Sequence, residues 1–66
     1  MKILIEMAIQ QVETQHGREL CEIDNAGERV LAQVKKSIQY MTRAQLEYRY
    51  PEYNEEKIIA YIESII

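Results

Sequence analysis

The spacing of apolar residues predicts three helices in the second half of the chain. Between about residues 26 and 40, apolar side chains recur every three or four positions, the period of an amphipathic helix: Val30, Leu31, Val34, Ile38 and Met41. A second helix is predicted over about 43–50 and a third over about 54–65. The third is expected to bury a stripe of isoleucines: Ile58, Ile59, Ile62, Ile65 and Ile66.

Local signals support the ends of these helices. The Asp24–Asn25 pair is suited to capping the first of them, because both side chains accept hydrogen bonds from free backbone N–H groups. Thr42 is followed three residues later by Gln45, which is the capping-box pattern. Pro51 disfavours helical geometry at the residue before it and so ends the second helix. Asn54 is placed to cap the third helix.

The first part of the chain is compatible with two structures. A helix over residues 2–16, ended by Gly17, would place one set of apolar residues on a single side: Met1, Leu4, Ile5, Ala8, Ile9 and Val12. Alternation of another set favours a strand instead: Ile3, Ile5, Met7 and Ile9. That strand would belong to a β-hairpin turning at His16 and Gly17. The expected fold is therefore a mostly α single domain over residues 1–66 with three to four helices, or an α+β domain with an N-terminal hairpin.

Composition excludes two features that often stabilise a small domain, an internal disulfide and a structural zinc site. A chain of 66 residues builds a core worth only a few kcal/mol. Its single cysteine, Cys21, excludes an internal disulfide. Cys21 and the single histidine, His16, are too few for a structural zinc site. Good helix packing or self-association, most simply as a homodimer, is therefore expected to stabilise the chain.

Neither catalytic nor cofactor-binding residues can be assigned. His16 has only Cys21 as a candidate nucleophile nearby, and no third residue is available to orient the imidazole. We expect His16 to be solvated and Cys21 to be a small buried apolar residue. The glutamates at the start of the third helix suit the helix dipole, and no apolar pocket is predicted around them. The chain is not expected to be an enzyme or to hold a metal or cofactor.

Net charge and hydropathy argue against nucleic acid and membranes as partners. A net charge of −3 gives no overall attraction to nucleic acid. The chain lacks an apolar run of about 20 residues, so no membrane-spanning helix is predicted. With a free cysteine and no recognisable export signal, we expect a cytoplasmic, intracellular protein without membrane contact.

One stretch resembles the helix-turn-helix core of many DNA-binding regulators. "MTRAQLEYRYPEYNEEKIIAYI" contains a capped short helix, a break and a second helix. It departs from that pattern at Glu47, where a small residue is usual, and at Pro51, where the turn usually has glycine. The glutamates at the start of the would-be reading helix would also face phosphates. If DNA were bound, the backbone contacts would come from basic residues on the two preceding helices: Arg29, Lys35, Lys36 and Arg43.

The tyrosines are the main reason to expect a protein-binding surface. Every aromatic residue is a tyrosine, and all five lie after residue 39. Tyrosine is enriched at protein interfaces because it offers rigid apolar area with a polar end. Three tyrosines surround the proline, close in sequence to two arginines. The predicted partner-binding residues are therefore Arg43, Tyr48, Arg49, Tyr50 and Tyr53, although the tyrosines could equally belong to the core.

The expected function is steric binding of another protein, as a small regulatory protein of the inhibitor or adaptor type. Small acidic chains without catalytic apparatus are common among inhibitors encoded by phages and mobile elements, a likeness of size and composition only. Two alternatives stay open at this point: a helix-turn-helix-like DNA-binding regulator, and a small structural or assembly subunit.

Overall fold

The computed structural model describes all 66 residues and contains four helices and no strand. The helices are α1 (Lys2–His16), α2 (Ala26–Ile38), α3 (Arg43–Arg49) and α4 (Glu55–Ile65), and a short 3-10 turn (Leu20–Glu22) lies between α1 and α2. The mostly α prediction is confirmed, and the alternative of an N-terminal β-hairpin is wrong.

The end of α1 shows why the hairpin does not form. Gly17 adopts left-handed geometry with φ 62°, and its N–H donates to the carbonyl of Glu13 at 2.8 Å. The chain thus ends the helix at glycine, which pays no steric penalty for positive φ. The Glu13 side chain then accepts a hydrogen bond from the Leu20 N–H at 2.9 Å, which holds the start of the 3-10 turn against the end of α1.

The core is built on α2, because α1 and α4 each pack against it and barely touch each other. Val30 and Val34 of α2 and Ile62 of α4 are fully buried. The twelve core residues are Ile5, Ala8, Val12, Leu20, Ile23, Ala26, Val30, Leu31, Val34, Ile38, Ile58 and Ile62. Both predicted apolar stripes of α1 and α2 therefore face the core, with Met1, Leu4, Ile9 and Met41 at its edge.

Gly27 permits a close approach between α2 and α4. A Cβ at this position would lie 3.1 Å from Cγ2 of Ile59 and 3.3 Å from the Ile59 carbonyl oxygen. The second contact is with backbone, so it cannot be relieved by a change of side-chain rotamer. The distance between α2 and α4 at this crossing therefore depends on the absence of a side chain at residue 27.

The predicted caps are confirmed at two of three helices. Thr42 and Gln45 form the reciprocal capping box at the start of α3. The Asn54 side chain accepts from the Lys57 N–H at 3.0 Å at the start of α4. The prediction for α2 is wrong in mechanism: Asn25 occupies the N-cap position, but it adopts φ 57° and its side chain makes no capping hydrogen bond. The helices also end one or two residues earlier than predicted, at Ile38 and Arg49.

Two burial predictions are wrong. Cys21 is exposed, because Leu20 of the 3-10 turn and Ile23 directly after it take the inward positions. Ile65 and Ile66 are 50% and 49% exposed, so the buried stripe of α4 reaches only Ile62, with Ile59 half-buried beside it. The last turn of α4 lies at the edge of the core, and no other helix covers its outer side. None of the helices has both the length and the apolar character needed to cross a bilayer.

Replacing Gly27 with valine should destabilise the fold by about 1–3 kcal/mol, because the side chain would overpack the crossing with α4. Urea unfolding followed by circular dichroism measures this change. Ala32→Val is the matched control, since Ala32 is exposed on the same helix and should cost less than about 0.7 kcal/mol in helix propensity. Equal losses in the two variants would contradict the close approach at Gly27.

Candidate protein-binding surface

α3 is attached to the rest of the fold by few side chains. It contains no buried residue and makes few contacts with the other helices. Met41, Leu46 and Tyr50 are half-buried and pack against the edge of the core. The capping box starts the helix, and Pro51 follows its C-cap, Tyr50, whose N–H donates to the Leu46 carbonyl. One side of α3 is thereby anchored, and the other is presented to solvent.

The five tyrosines divide into two groups. Tyr48 is 89% exposed and Tyr40 is 73% exposed, the largest values among the tyrosines. Tyr50 and Tyr53 are half-buried and pack against the core. Tyr61 lies between these groups at 42% exposure. The tyrosines thus differ in burial: Tyr50 and Tyr53 pack on the core, and Tyr40 and Tyr48 are mostly exposed.

Tyr40 and Tyr48 border the same apolar depression of about 520 Å³. We call this the α3 surface; it is lined by Tyr40, Met41, Ala44, Gln45, Tyr48 and Arg49. Ala44 and Tyr48 are four residues apart on α3, so they lie on the same side of that helix. Tyr40 borders the depression from the turn that precedes α3. The sequence prediction included Tyr48 and Arg49 and missed the other four. The four-residue spacing of Ala44 and Tyr48 was the available signal, whereas the position of Tyr40 depends on the turn between α2 and α3.

The α3 surface has a cationic edge. Arg49 is its only charged lining residue and makes no ion pair. Arg43, the first residue of α3, pairs with Glu47 one turn along the helix, with Nε 3.3 Å from Oε1. Both side chains of that pair are largely exposed, so it contributes little to stability. Arg49 is therefore the one cation that this surface leaves free for a partner.

An ion pair between α2 and α4 lies near the half-buried Tyr53. Lys35 Nζ is 2.6 Å from Oε2 of Glu55, and the Tyr53 hydroxyl donates to the same carboxylate at 3.4 Å. The hydrogen bond from Lys35 lowers the pKa of Glu55, and Glu55 in turn raises the pKa of Lys35. Partial burial, followed by the Glu55 charge, raises the pKa of Tyr53.

The basic residues of the DNA-binding alternative are mostly engaged within the chain. Lys35 and Arg43 are in the ion pairs just described. Arg29 donates to the Asp24 carbonyl at 2.9 Å and lies 3.4 Å from Nε2 of His16. Only Lys36 makes neither an ion pair nor a side-chain hydrogen bond. The structure does not bring these four residues together as one set of free cations.

The groups considered for chemistry are dispersed. His16 is exposed, as predicted. Cys21 Sγ lies 3.9 Å from a carboxylate oxygen of Glu19 on the surface. Nowhere do three histidine, cysteine, aspartate or glutamate side chains converge in a geometry that could hold a metal ion.

The Lys35–Glu55 pair predicts a specific pH dependence. Because the pKa of Glu55 is lowered from its ordinary value of 4.5, its contribution to stability is present above about pH 4.5 and is lost as the pH falls through the lowered pKa. The free energy of unfolding of Glu55→Gln should therefore lie below that of the wild type at pH 7 and approach it near pH 3. Glu56→Gln is the control, since Glu56 shares the first turn of α4 without an ion-pair partner. If Glu55→Gln lowered the free energy of unfolding equally at pH 7 and pH 3, this would contradict a stabilising Lys35–Glu55 ion pair.

Comparison with known proteins adds no family assignment. No protein-family model matches the chain, and neither a curated protein nor a solved structure matches it. Its function has to be inferred from its own residues and their geometry.

Proposed function

We propose that the protein acts by binding another protein through the α3 surface, in the steric manner of an inhibitor or adaptor. The observation that carries this proposal is the exposure of Tyr48, at 89%, beside Tyr40 at 73% on one apolar depression. A tyrosine this exposed contributes little to its own fold. Its apolar ring is available for contact with a partner.

The chemistry of the α3 surface supports a protein partner. Tyrosine buries a large area while losing few rotamers, and arginine adds a directed cation, so both residue types are enriched among binding hot spots. Met41 and Ala44 extend the apolar area between the two tyrosines, and Met41 is adaptable in shape. Gln45 and Arg49 supply polar groups at the edge. An apolar centre with a polar rim is the usual anatomy of a protein interface.

The residues predicted from the sequence take different parts in this proposal. Tyr48 and Arg49 are the contact residues, and Arg43 is a peripheral cation tied to Glu47. Tyr50 and Tyr53 pack on the core instead, so they support the position of α3 and the start of α4. No substrate, metal or cofactor is required, because the binding itself would block or recruit the partner.

The charge distribution favours protein over DNA as the partner. α4 carries Glu55 and Glu56 in its first turn, where a reading helix approaches phosphates. Of the four basic residues considered for backbone contact, only Lys36 is unengaged. Duplex binders with a strong salt dependence make about six to ten phosphate contacts. The basic residues of this chain therefore do not support DNA binding.

Alanine substitution of Tyr40 and Tyr48 together should remove the partner while leaving the fold intact. Truncating a binding hot spot weakens affinity by about 30-fold or more, whereas two exposed side chains contribute little to folding. The measurement is capture from a lysate of the producing cells on immobilised protein, quantified by mass spectrometry.

Ile3→Ala is the matched control, because Ile3 is as exposed as Tyr40, at 73%, and lies on α1. It should capture the same proteins as the wild type. Unchanged capture by the Tyr40→Ala/Tyr48→Ala variant would refute the proposal. Circular dichroism of all three proteins separates loss of binding from loss of folding.

A further inference from the structure

A second apolar depression lies beside the last turn of α4. Ile65 and Ile66, each about half exposed, border it together with Ile9, Leu20 and the exposed Cys21. Its volume is about 340 Å³, and its charged lining consists of two glutamates, Glu13 and Glu19. We call these seven residues the α4-end surface. It combines apolar side chains that the fold leaves uncovered with a negative rim.

The α3 surface and the α4-end surface lie toward opposite ends of the molecule. α1 runs antiparallel to α2, because His16 contacts Arg29 and Gln11 contacts Gln33. The amino group of Met1 pairs with Glu52, which directly follows Pro51 after α3.

α3 is therefore at the N-terminal end of α1. The α4-end surface draws on the second half of α1 and on the 3-10 turn beyond it. A helix of 15 residues is about 22 Å long, in a molecule whose longest extent is 36 Å.

The two surfaces are complementary in charge. The only charged residue lining the α3 surface is Arg49, and the only charged residues lining the α4-end surface are Glu13 and Glu19. A two-fold dimer through the α3 surface would bring Arg49 of both copies to one interface, and like charges there are unfavourable. A head-to-tail arrangement pairs opposite charges around two apolar centres.

We infer that the α3 surface also binds a second copy of this chain, through the α4-end surface of that copy. The inference rests on the proposed function because it uses the same α3 surface, so self-association and the partner of the proposed function compete for it. Each copy then offers one free surface of each kind, so association continues head to tail into a ring or an open filament. This is the geometry of an assembly subunit, and it differs from the homodimer expected from composition.

The available surface limits the strength of each contact. A stable interface covers about 800 Å² per partner, about one sixth of the 4909 Å² accessible surface of this chain. Two such interfaces would use about a third of it. We therefore expect reversible association that increases with protein concentration and weakens at high salt, since the paired charges lie at exposed edges.

Two variants block one surface each. The head-blocked variant carries Tyr48→Ala and Arg49→Glu, and the tail-blocked variant carries Glu19→Ala and Ile66→Ser, so the two blocked surfaces do not regain an opposite-charge pair. Each variant alone should be monomeric, with self-affinity weakened by about 30-fold or more. An equimolar mixture should form a one-to-one dimer and nothing larger, because it retains one intact α4-end surface and one intact α3 surface.

Sedimentation velocity of the purified proteins over rising concentration measures these states. The wild type should exceed the mass of a dimer, and the charge-reversal controls Lys57→Glu and Glu6→Arg, both at exposed positions, should match it. A wild type that stays monomeric up to about 1 mM, the weak end of specific affinity, would overturn the inference. A dimer lost in the head-blocked variant and kept in the tail-blocked variant would also overturn it.

The outcomes separate this inference from the proposed function. If the purified chain is monomeric while Tyr40→Ala/Tyr48→Ala still abolishes capture from the lysate, self-association is wrong and the proposed function stands. If the chain associates and neither Tyr48→Ala/Arg49→Glu nor Tyr40→Ala/Tyr48→Ala alters association or capture, both are wrong.

Discussion

The close packing of α2 against α4 at Gly27 is the constraint on which the rest of the structure depends. With no side chain at residue 27, the Ile59 backbone lies so near α2 that a Cβ there would be only 3.3 Å from the Ile59 carbonyl oxygen. That approach lets Ile58 and Ile62 reach the core beside Val30 and Val34. Since α1 packs on α2 as well, a single helix organises nearly all the buried apolar area. The fold is thus a central helix with two flanking ones.

This arrangement explains why α3 is poorly buried. A chain of 66 residues has limited capacity to cover its own apolar side chains, and α2 has both sides occupied by α1 and α4. α3 is left at the end of the molecule, anchored by half-buried Met41, Leu46 and Tyr50. Tyr48 on its opposite side has nothing to pack against. Because the chain is too short to cover all its apolar side chains, Ile65 and Ile66 are also left half exposed at the other end. The two candidate contact surfaces therefore share one physical origin.

The sequence predicted the elements of the fold well where the signal was local. Gly17 ended α1, Thr42 with Gln45 began α3, and Pro51 separated α3 from α4, each through backbone chemistry that acts within a few residues. The choice between helix and hairpin for residues 2–16 was not decidable from periodicity, because the isoleucines fit both periods. Helical packing on α2 resolves it, and that contact is tertiary.

The candidate site was predicted only in part, because its geometry also depends on tertiary contacts. Which tyrosine faces the core depends on how α3 and the loop after it are oriented against the core, and no local pattern specifies that orientation. Tyr48 and Tyr53 look alike in sequence, yet one is exposed and the other packs on the core. Cys21 was predicted to be buried because free cysteine usually is, but the register of the 3-10 turn turns it outward. Nothing in the sequence indicated the role of Gly27, because that role depends on where Ile59 lies in the folded chain.

The most direct test of the account is a concentration series of amide chemical shifts by NMR on the uniformly labelled chain. The account predicts that raising the concentration moves the amide signals of residues 40–49 together with those around Glu19, Cys21 and Ile66. Signals of the buried α2 residues should stay in place. Shifts confined to the exposed face of α1 around Ile3 and Met7, or no shifts at any concentration, would contradict it.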